Sequence, residues 1–217
     1  MTSLTLFTPA GVLLNAKGVR QAAKRLQGLG FEVCIDESAL LKHQRFGGDD
    51  DVRLAAIHRV AAQAPGIALA TRGGYGLTRL LDRVDWKALA RSVEGGTRWV
   101  GHSDITTLHL GMLTHAKAPG RLGWAGPLAV EDFGRDTVDD VTQACFVEAM
   151  SGELEAVGFR TEAGFDGLGV AGPLWGGNLS MVCSMLGTRH WPQVKGGVLF
   201  LEDVNEHPYR IERCLLQ

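Results

Sequence analysis

Of the 217 residues only 7 are proline and 4 are cysteine, aromatic side chains make up 7%, and no apolar run approaches the roughly 18–20 residues that a membrane span needs. Scarce proline argues against a Pro-rich linker. Cys34, Cys145, Cys183 and Cys214 are scattered with no Cys-x-x-Cys pair, which fits isolated reduced thiols better than a disulfide frame or a zinc site. A formal net charge of −2 without a basic cluster argues against nucleic acid as the main partner. The N-terminus, Met1-Thr2-Ser3-Leu4-Thr5-Leu6-Phe7, lacks the basic n-region of a signal peptide, so the expectation is a soluble cytoplasmic protein without a membrane partner. What is abundant is apolar surface and glycine. The 45% hydrophobic content suffices for a buried core, and 29 glycines imply many tight turns in one or two domains.

Leu4 to Phe7 is β-prone and leads through Thr8-Pro9-Ala10-Gly11 into apolar positions 19, 22, 23 and 26, the spacing of one helical face. The pattern returns at Phe31-Glu32-Val33-Cys34-Ile35, followed by the capping carboxylates Asp49-Asp50-Asp51 and apolar positions 54, 57 and 61. Ile67-Ala68-Leu69-Ala70 and Arg98-Trp99-Val100 read as further strands, each running into a glycine-bearing turn. Strands alternating with helices predict an α/β fold, a Rossmann-like or flavodoxin-like parallel sheet with ligands bound outside the carboxyl ends of its strands. The texture changes near 150–165, which divides the chain into a first domain over 1–155 and a second over 156–217. In the second, Gly172-Pro173-Leu174-Trp175-Gly176-Gly177-Asn178 precedes a helix-like run at 179–186, and the strand Gly197-Val198-Leu199-Phe200-Leu201 precedes a helix opened by Pro208. That helix reaches Gln217 without a Gly or Asn cap, so the smaller, β-rich second domain is expected to be incomplete.

Three segments could carry chemistry. In Gly101-His102-Ser103-Asp104-Ile105-Thr106 a serine stands at a strand-to-helix turn ahead of apolar positions 105, 108, 112 and 113. A nucleophile elbow has this form, with the next residue's N–H aimed at a developing oxyanion; the plainer alternative is that Ser103 or Asp104 caps the helix. Arg72-Gly73-Gly74-Tyr75-Gly76 allows close backbone approach to a ligand, and it lacks the spacing and the lysine of a phosphate loop. Glu202-Asp203 ends an apolar strand, where a carboxylate can be held to orient a histidine. His102 and His109 share a helical face, but no third ligand stands at a recognisable spacing, so no metal and no cofactor are expected.

Taken in order, Arg72-Gly73-Gly74-Tyr75-Gly76, Gly101-His102-Ser103-Asp104, Leu174-Trp175-Gly176-Gly177-Asn178-Leu179 and Phe200-Leu201-Glu202-Asp203-Val204-Asn205-Glu206-His207-Pro208-Tyr209-Arg210 resemble the LD-carboxypeptidases, the muramoyltetrapeptide carboxypeptidases that include the microcin-immunity peptidases. The resemblance implies a serine peptidase with a Ser-Glu-His triad that removes the terminal D-alanine from murein tetrapeptide in cytoplasmic cell-wall recycling. Ser103 would be its nucleophile and Glu202 its triad acid, with the backbone N–H groups of Gly74 and Asp104 forming the oxyanion hole. Arg72, Tyr75, Trp175, Asn178 and Arg210 are the candidate substrate-binding residues. The family's fold would be a Rossmann-like first domain and a smaller β-rich second one, and its members often pair as homodimers.

The family's catalytic histidine lies on a loop beyond the Glu-Asp motif, and the sequence reaches Gln217 before any such residue. His207 belongs to the motif around Glu202 and does not inherit the role. The expectation is therefore a C-terminally shortened form, close to inactive without its general base. Two competitors remain: a non-catalytic peptide-binding or immunity-type protein using the same cleft, and a glutamine-amidotransferase-like acyl transferase, which would need cysteine where position 103 has serine.

Overall fold

The computed structural model describes residues 1–116, 122–160 and 167–217. Five strands, β1 (Thr2–Phe7), β2 (Phe31–Ile35), β3 (Ile67–Ala70), β4 (Arg98–Gly101) and β5 (Trp124–Ala125), form one sheet in the order β2-β1-β3-β4-β5. Every pairing in it is parallel. This is the flavodoxin-like strand order, which reverses between β1 and β3 and opens a crevice above their carboxyl ends.

Alternation along the strands explains the two faces. Ile67, Leu69 and Val100 pack with Leu4 and Leu6 on one side, against Val19, Ala22, Ala23 and Leu26 of α1 (Ala16–Gly28) and Phe146 and Met150 of α5 (Asp140–Ser151). Ala68, Ala70 and Trp99 face the other side with Phe7, where α2 (Asp50–Gln63), α3 (Trp86–Glu94) and α4 (Ile105–His115) cover them. The predicted α1 stripe is the buried one, and Asp49 caps α2 by accepting the Val52 N–H. On α4, Ile105, Leu108 and Met112 are buried as their spacing predicts, while Leu113 stays partly exposed.

A second sheet pairs β6 (Leu174–Asn178) with β7 (Val198–Glu202) in parallel, with α6 (Leu179–Met185) between them in sequence and α7 (Pro208–Leu216) following. It is joined to the first unit by a small apolar cluster. Leu81 and Leu110 meet Val182 and Met185 there, with Trp86, Trp175, Trp191 and Leu201 packed around them. Thr106 Oγ1 of α4 also accepts the Asn178 N–H at 3.0 Å, which brings the end of β6 to the first turn of α4.

Candidate active site

β4 ends at Gly101, where a Cβ would lie 2.9 Å from Ile105 Cγ1, so the turn can fold tightly back onto the helix. Ser103 then adopts φ +61°, a left-handed conformation that a β-substituted residue holds only when its surroundings impose it. The Thr106 N–H donates to the Ser103 carbonyl at 3.0 Å, so α4 begins directly beneath the serine. The capping alternative is not what these side chains do. Asp104 stands at the N-cap position but caps nothing with its carboxylate; its Oδ2 accepts the Leu77 N–H at 3.0 Å instead.

That bond ties the serine turn to the glycine loop after β3. A Cβ at Gly73 would fall 2.7 Å from both Cβ and Oγ of Ser103, so only glycine lets the loop backbone lie against the hydroxyl. Gly74 follows at φ +114°, and the loop is held from behind by the Gly11 N–H, which donates to the Gly73 carbonyl at 3.1 Å. Among the described residues, the N–H groups of Gly74 and Asp104 donate to no turn or loop carbonyl. Both N–H groups adjoin the serine turn, Asp104 as the chain neighbour of Ser103 and Gly74 as that of Gly73, beside the start of α4.

Burial raises the Asp104 carboxyl to about 6, opposed by the Leu77 N–H and by the positive charge of Arg53. Arg53 was not singled out by the sequence reading. It is fully buried on α2, donates to the Pro9 carbonyl at 3.1 Å, pairs with Asp50 and lies 4.7 Å from the Phe46 ring centroid. Its signal was available: it stands four residues before Ile57, on the apolar stripe of α2, where an unaccounted charge marks a buried polar contact. Thr106 gave no such signal.

Glu202 ends β7 beside Asn178 of β6, and through Asn178 and Thr106 it is linked to the serine turn. Its Oε1 is buried and, among the described residues, has no hydrogen-bond partner. An enclosed acceptor of this kind fits a donor such as an imidazole N–H.

The other candidates are distributed around this centre. Arg72 Nη1 donates to the Val12 carbonyl at 3.0 Å, while its Nε lacks a hydrogen-bond partner and stands 3.5 Å from Glu131. Arg72 and Glu131 line a cleft of about 540 Å³ between the 13–21 and 130–136 segments. Tyr75 is 67% exposed at the loop tip. Trp175 stacks edge-on against Trp191 at 5.8 Å, Asn178 caps α6 by accepting the Met181 N–H, and Arg210 pairs with Glu206. The histidines are engaged separately: His102 with the Gly126 carbonyl, His109 with the Trp99 carbonyl, His58 with the Asp85 N–H and His115 with His190, while His207 stacks on Tyr209. Burial lowers His109 to about 4, so it is a neutral structural ring at ordinary pH.

Residues 4–123 match the model of the LD-carboxypeptidase N-terminal domain, and residues 171–217 that of the LD-carboxypeptidase C-terminal domain. The "Murein tetrapeptide carboxypeptidase" of Pseudomonas aeruginosa is 30% identical over 99% of this chain and 70% of its own length. The "Probable murein peptide carboxypeptidase" of Bacillus subtilis is 31% identical over 88% of this chain, which spans 59% of that relative. The crystal structure of muramoyltetrapeptide carboxypeptidase from Oxalobacter formigenes superposes with a TM-score of 0.86 at 35% identity, covering 99% of this chain and 70% of that one.

Proposed function

Because the chain belongs to the LD-carboxypeptidase family, we propose that it carries the nucleophile, the oxyanion donors and the triad acid of a serine carboxypeptidase that releases the terminal D-alanine of murein tetrapeptide. The observation that carries the reading is Ser103 at φ +61°, with the glycine loop pressed against its hydroxyl.

In the proposed reaction Ser103 Oγ attacks the carbonyl of the penultimate residue, and the oxyanion is received by the N–H groups of Gly74 and Asp104. Glu202 holds the imidazole that takes the serine proton and returns it to the leaving amine; that imidazole is assigned to none of the seven histidines of this sequence. Water then hydrolyses the acyl-enzyme. Arg72, whose guanidinium is partly exposed and pairs with Glu131, is the side chain assigned to receive the substrate carboxylate. Tyr75 and Trp175 would form apolar contacts, and Asn178 and Arg210 would shape the wall on the β6–β7 side. A cytoplasmic role in peptidoglycan recycling, and pairing as a homodimer, belong to the same reading.

The test combines D-alanine release from murein tetrapeptide with labelling by a serine-directed phosphonate, mapped by mass spectrometry. The label is expected on Ser103, slowly because none of the histidines of this sequence is assigned to activate its hydroxyl, and Ser103→Ala should lose it. Labelling of another residue, or labelling that survives in Ser103→Ala, overturns the assignment. Tight tetrapeptide binding with neither label nor turnover would favour the non-catalytic alternative.

A further inference from the structure

Two of the four cysteines, read from the sequence as isolated, are brought together by the fold. Cys183 lies on α6 and Cys214 on α7, and Cys183 Sγ stands 3.5 Å from the carbonyl oxygen of Cys214. Both residues are partly buried, within reach of a small reagent and shielded from a large one. Cys34 is exposed on β2 and Cys145 sits on α5, elements that belong to the five-stranded unit.

The surroundings give such a pair something to do. α7 contributes no fully buried residue, and Tyr209, Leu215 and Leu216 on it are exposed. It follows β7 after the short turn 203–207, so its attachment bears on the segment that carries Glu202. We propose that Cys183 and Cys214 form a reversible disulfide that staples α7 to α6.

The oxidant is a low-molecular-weight disulfide such as glutathione disulfide. The Cys214 thiolate attacks one of its sulfurs, the S–S bond breaks, and one glutathione leaves as thiolate, giving a mixed disulfide on Cys214. The Cys183 thiolate then attacks the Cys214 sulfur and expels the second glutathione. Two protein thiols are oxidised, one glutathione disulfide is reduced to two glutathiones, and the two protons pass to solvent or to the leaving thiolates. The order follows from the environment. Burial, reinforced by contact with Cys214, pushes the Cys183 thiol up to about 11, so Cys214 is the first nucleophile and Cys183 the resolving one.

The test is to incubate the reduced chain with glutathione disulfide at mildly alkaline pH and follow intact mass, non-reducing electrophoresis and peptide mapping. A monomer that has lost two hydrogens, with a 183–214 linked peptide that dithiothreitol removes, is expected. Cys34→Ser should form the same link, while Cys183→Ser should stop at the glutathione adduct on Cys214. Amide exchange in α7 should slow in the oxidised form. A persistent glutathione adduct in the unmutated chain, a bridge involving Cys34 or Cys145, or a dimer linked through Cys214 overturns the proposal.

Discussion

A serine held at φ +61° stays there because its neighbours leave it no better conformation, and Gly73 is the neighbour with least tolerance. A methyl at position 73 would meet Ser103 Cβ and Oγ at 2.7 Å, so the loop or the strained turn must shift and the hydroxyl with it. Gly73→Ala should therefore fold, by circular dichroism, yet lose at least about tenfold in the rate of phosphonate labelling at Ser103, since small misplacements at a reacting centre are costly. Unchanged labelling would show that the contact does not position the nucleophile. The buried carboxyl of Asp104 makes a separate, pH-dependent claim. Its folded-state value of about 6 lies above the ordinary 3.8, so the folded state binds the proton more tightly. The stability this gives is fully present below about pH 4 and is lost as pH rises through 6, a difference of at most about 3 kcal/mol. Asn in its place keeps an acceptor for the Leu77 N–H and removes the titration. The stability of Asp104→Asn relative to the unmutated chain should rise between pH 4 and 7 in denaturant titrations, and a flat difference would refute the burial argument.

The element that connects Ser103 and Glu202 is the first turn of α4. Thr106 gives its N–H to the Ser103 carbonyl and its Oγ1 receives the Asn178 N–H, while Asn178 both caps α6 and lies beside Glu202 in the β6–β7 ladder. Thr106→Val keeps the shape and removes the acceptor, leaving a partly buried N–H unpaired at a cost of about 1–2 kcal/mol. Thr106→Ser should recover most of it. Denaturant midpoints of the two variants check this, and equal loss in both would mean that packing of the methyl group, not the hydroxyl, holds the junction. This junction also shows where sequence reading stopped. The helix stripes of α1 and α2 and the strands β1, β2, β3, β4 and β7 were readable because apolar periodicity is a local property. β6 was not read as a strand, because Gly176 and Gly177, at φ +121° and +128°, erase the alternation that would announce it. Gly177 is needed there, since a Cβ would meet Thr106 Oγ1 at 2.4 Å. Ser103, Gly74, Asp104 and Glu202 could be proposed from sequence because strand ends and turns carry local signatures. Arg53 and Thr106 were not, because their partners are set by topology.

Across the whole molecule, the two sheets are joined at one end by Thr106 and at the other by a polar chain that no sequence spacing could reveal. His190 is buried in the segment after α6, and its Nε2 stands 2.9 Å from Asp82 Oδ1, its Nδ1 2.8 Å from His115 Nε2. Trp86 stacks on His115, Arg189 also pairs with Asp82, and Thr114 Oγ1 donates to the His190 carbonyl. A single hydrogen lies between the two rings, and Asp82 faces the far nitrogen of His190. Burial, with the charges of His190 and Arg189, accordingly holds His115 below the ordinary imidazole range. An opened or unfolded state then binds more protons, so the contact weakens as pH falls below the ordinary histidine value of about 6.5. Amide exchange in the 186–191 segment, corrected for its intrinsic pH dependence, should accelerate several-fold between about pH 7.5 and 5. His115→Gln, which keeps a donor without the titration, should flatten that response. An unmutated chain whose exchange in this segment does not change with pH would show that the two units are held by the tryptophan-lined cluster alone.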